Sequence, residues 1–204
     1  MKANKIILTV IALSLSMGLV ACNKEQKNSM DNLTTNVDKT VADNNYVQKY
    51  SRFYGDNISN LNTYKKYETP QEAIKYYESN EYPGNKAYVS QLKSDYTDAK
   101  TKIQNFIDYI KNESPTDNKE LTDINNKLIT EGEKTISIID ERLKELDNIP
   151  EDTFNKSKED FIKDVNKTTT LEQETQSDFN NLLKQLNVFL GVDTNANNNT
   201  NSNK

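Results

Sequence analysis

The sequence predicts an all-α protein, an elongated antiparallel up-and-down helical bundle with coiled-coil-like packing. Apolar residues between about 42 and 190 recur at spacings of three and four, the period of amphipathic helices, and no strand-like alternation appears. One stretch keeps a strict heptad: Val89, Leu92, Tyr96, Ala99, Ile103, Phe106 and Ile110 step by 3, 4, 3, 4, 3, 4. Apolar residues make up only 34% of the chain, which suits long thin helical packing better than a thick core.

The first stripe of the domain is Val47, Tyr50, Tyr54, Ile58, Leu61 and Tyr64, with Gly55 as a weak point. Thr69-Pro70-Gln71-Glu72 then reads as a helix start: Thr69 caps, Pro70 suits the first helical position and Glu72 closes a capping box. This short helix carries Ala73, Ile74 and Tyr77 and ends by Tyr82-Pro83-Gly84-Asn85, a type II turn pattern. The heptad helix follows, from about 86 to 112. Ser114-Pro115-Thr116-Asp117 marks a turn and a new start. The next stripe is Leu121, Ile124, Leu128, Ile136, Ile139, Leu143 and Leu146, with Gly132 interrupting its middle. Asn148-Ile149-Pro150-Glu151 ends it and opens a last helix bearing Phe154, Phe161, Val165, Phe179, Leu182, Leu186 and Phe189. Residues 168–176 are polar apart from Leu171, so that element is either weakly packed there or broken. Unbroken over about 40 residues, it would be roughly 60 Å long. Short connections imply antiparallel neighbours, with the heptad seam pairing within the chain.

The flanks divide the chain further. Residues 1–21 have the parts of an export signal: Lys2 and Lys5, an apolar stretch over 6–19, then Leu19-Val20-Ala21-Cys22. That tetrapeptide resembles the lipobox of bacterial lipoproteins. The resemblance implies cleavage between Ala21 and Cys22, a thioether-linked diacylglycerol on Cys22, and attachment to the cell membrane on its extracellular or periplasmic side. Two acyl chains give stable anchoring where one does not. Residues 22–41 are the lipidated Cys and a flexible polar tether, 42–190 the helical domain, and 191–204 a disordered Asn-rich tail opened by a helix-ending Gly191.

Charge and composition exclude several functions. Without the signal, 24 basic side chains face 31 acidic ones. An acidic chain gains no counterion release from phosphate backbones, so no nucleic-acid partner is expected. There is no His, which removes the commonest general base and transition-metal ligand. The one Cys is assigned to lipid, so thiolate catalysis and zinc thiolate sites are not expected. With five glycines there is no phosphate-binding loop. Ser90-Gln91-Leu92-Lys93 matches the S-x-x-K of penicillin-binding enzymes without its companion motifs, and Leu92 belongs to the apolar seam. Asp140, Glu141 and Glu145, and Glu172, Glu174 and Asp178, read as solvated surface rather than as a metal site. No catalytic residue, cofactor or metal is expected.

Tyrosine is the compositional oddity: ten of eleven lie between Tyr46 and Tyr96. Tyr64, Tyr67, Tyr76, Tyr77 and Tyr82 cluster around the Thr69 turn. They read either as half-buried core in a chain poor in Leu and Phe, the preferred reading, or as a contact surface. Ile74-Lys75-Tyr76-Tyr77 carries the paired tyrosines of the EMYY motif found in small staphylococcal-type lipoproteins, without its Glu-Met.

The resulting expectation is a non-enzymatic surface lipoprotein. It is held to the bilayer through acylated Cys22 and contacts an envelope or extracellular protein, or an envelope polymer. The alternatives are a small-ligand-binding module built on the Tyr-rich region, and a phage- or toxin-exclusion lipoprotein. The segment over 14–21 also resembles the octapeptide pheromones released from some lipoprotein signals.

Overall fold

The structure, a computed structural model, describes residues 44–113, 116–170 and 177–192. The signal, Ala21, Cys22, the tether and almost all of the Asn-rich tail lie outside the described residues. So do Ser114, Pro115, Glu172 and Glu174. The protein is all-α: six α-helices and two 3-10 segments among the described residues, and no strand.

Helix α1 spans Asn44–Asn57, followed by a 3-10 segment over Ser59–Tyr67. Helix α2, Pro70–Ser79, begins as its sequence predicts: the Thr69 hydroxyl accepts the Glu72 amide at 3.1 Å and Pro70 occupies the first turn. The turn into α3 uses Gly84 at φ +90°, the left-handed value a type II turn demands at its third residue.

Helices α3 (Asn85–Glu113) and α4 (Lys119–Asp147) are the spine, each about 44 Å long at 1.5 Å per residue. They run antiparallel. Lys86, Lys93 and Lys100, one heptad apart, pair in descending order with Glu151, Asp147 and Asp140 at 2.6, 2.5 and 2.6 Å. All seven seam residues of α3 are buried, but so are Tyr88, Ile107 and Tyr109, because α3 is packed on more than one side. Its second face receives the chain from 46 to 82, which runs back along it. Tyr50 meets Phe106, Tyr64 bonds Asp98, and Tyr67 meets Tyr88.

Helix α4 starts at an Asn118 cap whose side chain accepts the Leu121 amide at 3.1 Å, slightly later than the Ser114 turn suggests. It continues through Gly132, which is a contact point rather than a break. A Cβ there would stand 2.6 Å from Cγ2 of Ile107 and 3.2 Å from Cε2 of Phe179.

The expected last helix is three elements. A 3-10 segment covers Glu151–Asn155, α5 spans Lys158–Thr169 and α6 spans Phe179–Leu190. The new start is Ser157, whose hydroxyl accepts the Asp160 amide. At the other end of α5, the Thr169 and Thr170 hydroxyls turn back onto the carbonyls of Val165 and Asn166, in competition with further helix. A single 60 Å helix is thereby excluded. Helix α6 ends in a Schellman motif: Gly191 takes φ +66°, its amide reaches the Val188 carbonyl, and the Val192 amide reaches Asn187.

Helices α1 and α6 meet at the α3–α4 turn, where Tyr46 bonds Asn125 of α4 and Tyr50 bonds Asn187 of α6. Helices α2 and α5 meet nearer the opposite end. The described chain therefore enters at Asn44 and leaves after Val192 at the same end of the spine.

Candidate functional site

Most of the tyrosine cluster is core. Tyr64, Tyr67 and Tyr77 are buried, Tyr82 is half-buried, and only Tyr76 is exposed, at 38%. The rings interlock edge to face: Tyr77 packs on Tyr82 at 5.2 Å and on Tyr88 at 5.9 Å, and Tyr88 packs on Phe161 at 6.1 Å. The hydroxyls of Tyr64, Tyr77 and Tyr82 reach polar partners at the edge of the core. Tyr82 donates to Asn85 at 2.6 Å, while the Asn85 amide donates to the carbonyls of Phe154 and Lys156, fastening the α2–α3 turn to the second 3-10 segment. Tyr64 donates to Asp98, and Lys102 sits 2.8 Å from the same carboxylate. Hydrogen bonds from Lys102 and Tyr64 hold the Asp98 carboxyl below its ordinary range. Burial pushes the hydroxyl pKa of Tyr64, Tyr67, Tyr77 and Tyr82 upward, so all four are neutral donors near neutrality.

Tyr76 lies at the mouth of a surface cleft of about 290 Å³ between α2 and α3, lined by Lys66, Tyr76, Tyr77, Glu81, Gln91, Ser94 and Asp95. Its position is set from two sides. The Lys66 ammonium lies 5.3 Å from the Tyr76 ring centre and 4.8 Å from that of Tyr67, and it pairs with Asp95 at 3.4 Å. The Tyr77 ring stands at 87° to Tyr76, 4.9 Å away, and the Tyr77 hydroxyl donates to Oε1 of Gln91 at 3.3 Å. The Tyr67 hydroxyl is buried beside Asp95 and Tyr77 without a well-formed hydrogen bond to either.

Of the five tyrosines singled out in the sequence, two line this cleft, Tyr76 and Tyr77, while Tyr67 lies under the Lys66 ammonium. Tyr64 and Tyr82 face other partners. The residues sequence reasoning missed are Lys66, Glu81, Gln91, Ser94 and Asp95. The last three flank Leu92 and Tyr96, so the heptad itself places them on the rim of α3. Nothing in the sequence signals the Lys66–Asp95 pairing.

The other chemical candidates are engaged elsewhere. Ser90 donates to the Lys86 carbonyl and Lys93 pairs with Asp147, so the S-x-x-K pair is not assembled as a catalytic unit. The Asp140 carboxylate accepts from Lys100, and the Asp178 carboxylate accepts from Asn181 at 3.4 Å. Among the described residues, no three His, Cys, Asp or Glu side chains gather as a metal centre would need, and no helix is long and apolar enough to cross a membrane.

No protein-family model matches the chain, and no curated protein or solved structure matches it either.

Proposed function

We propose that the protein is a lipid-anchored, non-enzymatic contact protein of the bacterial envelope, its helices stacked as an elongated bundle that projects from the membrane. The observation that carries this reading is Leu19-Val20-Ala21-Cys22 behind an apolar, lysine-led stretch. The chain enters the helical domain at the α3–α4 turn, so a tether from Cys22 would place that end toward the bilayer. Asn85, the first residue of α3, then stands roughly 36 Å away along the helix, counted from Tyr109 at 1.5 Å per residue. The cleft beside Tyr76 faces outward on the half of the spine beyond the entry.

Detergent phase separation of bacterial cells tests the anchor. The native protein should enter the detergent phase and incorporate labelled palmitate. Cys22→Ser should do neither. Native protein left in the aqueous phase without label would refute the anchor.

A further inference from the structure

We propose that the cleft between α2 and α3 is a binding subsite for an uncharged sugar ring of an envelope glycan. The inference rests on the reading of this protein as an envelope contact protein, and it names the chemistry of the contact.

A pyranose ring presents an apolar C–H face and a rim of hydroxyls. It is matched by an exposed aromatic ring with donors and acceptors around it. The cleft has that composition. Tyr76 is the exposed large aromatic of the described chain, and it is not loose, being held by Lys66 on its ring and by Tyr77 at a right angle. A preorganised ring loses little freedom on binding. Around it, Asp95 and Glu81 offer acceptors, Ser94 offers a donor and acceptor, and Gln91 retains its amide donors because its carbonyl oxygen already takes the Tyr77 hydroxyl.

Charge decides among ligand classes. Lys66 is committed to Asp95 and to two aromatic rings, and Glu81 adds a negative charge. An anionic polymer therefore meets no unneutralised cation here. An apolar ligand would leave the carboxylates and amide without partners, which is unfavourable. At about 290 Å³ the space lies at the small end of ligand cavities, fit for one ring of a longer chain rather than a whole oligomer.

The test is titration of the full chain, in detergent micelles, with chitotetraose and separately with maltotetraose, followed by tyrosine-ring NMR. Saturable shifts with either sugar are expected. A response to chitotetraose alone assigns an N-acetylated ring, and an equal response to both assigns a general pyranose site. Tyr76→Ala should weaken binding by up to about tenfold, the scale of one aromatic contact, while Tyr76→Phe keeps the ring and most of the affinity. Gln91→Ala should also weaken it, since it removes the amide donors and the acceptor of the Tyr77 hydroxyl beside Tyr76. Absence of saturable binding by the folded native protein overturns the proposal and leaves the cleft to a peptide partner. Binding that survives Tyr76→Ala and Gln91→Ala unchanged overturns it too. Neither measurement depends on lipidation, so a failed anchor would appear in detergent partition and a failed sugar site would appear here.

Discussion

The hydroxyl of Tyr50 donates to Oδ1 of Asn187 at 2.7 Å across 137 residues of sequence, with both side chains buried. This bond joins the first described helix to the last, and the same asparagine also bonds the Tyr54 hydroxyl. Removing one partner strands the other in a dry interior. Tyr50→Phe should therefore cost about 1–3 kcal/mol, the penalty for an unsatisfied buried polar group rather than the smaller net worth of a hydrogen bond. Urea unfolding measures it. Adding Asn187→Leu to Tyr50→Phe should cost less than the two single losses combined, since the stranded group is then gone.

Two helical glycines should respond to alanine with opposite signs. In an open helix position Gly→Ala gains up to about 1 kcal/mol from propensity. Gly55 in α1 has nothing within 4 Å of its would-be Cβ, so Gly55→Ala should stabilise by up to that amount. At Gly132 the same methyl meets Ile107 at 2.6 Å and Phe179 at 3.2 Å. Overpacking of that kind costs about 1–3 kcal/mol and outweighs the propensity gain. Gly132→Ala should lower the thermal midpoint while Gly55→Ala raises it. A rise in both would mean that Ile107 of α3 and Phe179 of α6 do not press on α4 at Gly132.

Acid should loosen the start of α6. Glu131 is partly desolvated, which raises its pKa, but the Asp178 amide at 2.9 Å, the Lys134 ammonium at 3.3 Å and the Ser177 hydroxyl outweigh this and lower it. A carboxyl depressed in the folded state binds fewer protons there than when unfolded. Its stabilisation is present above the unfolded value of 4.5 and is lost as pH falls through the folded value. Urea midpoints taken from neutral pH down past 4.5 should drop less steeply in Glu131→Gln than in the native protein.

How far the sequence could be read followed from how local each feature is. The α2 start, the Gly84 turn and the Gly191 stop were legible because each is one residue type meeting one backbone need. The α3 seam was legible because seven residues obey one period. Gly132 was misread as an interruption, since a glycine that admits Phe179 and a glycine that weakens a helix look the same in sequence. The stripe from Phe154 to Phe189 left one weakly packed helix or a broken one open, and a period shared by separate segments could neither choose between them nor show the start at Ser157. Tyr76 and Tyr77 are adjacent in the chain, yet one is 38% exposed and the other 7%. Only the packing of α2 on α3 and α5 decides which faces solvent, and the Lys66–Asp95 pair beside them depends on that same packing.

Alkali should unfold this protein through its tyrosines. Burial pushes the Tyr46 hydroxyl up to about 12, offset in part by Asn125, and pushes Tyr50 and Tyr88 upward as well. An acid whose folded pKa is raised keeps its proton in the folded state after the unfolded chain has lost it. Stability is therefore whole below pH 10, the ordinary tyrosine value, and declines as pH climbs beyond it. The buried rings should ionise together, above the ordinary tyrosine value, as helical circular dichroism collapses. Should the buried rings instead ionise one by one while helicity persists, the interlocked core around Tyr50 and Tyr88 would not be a cooperative unit, and the tyrosines would stand at water-accessible positions after all.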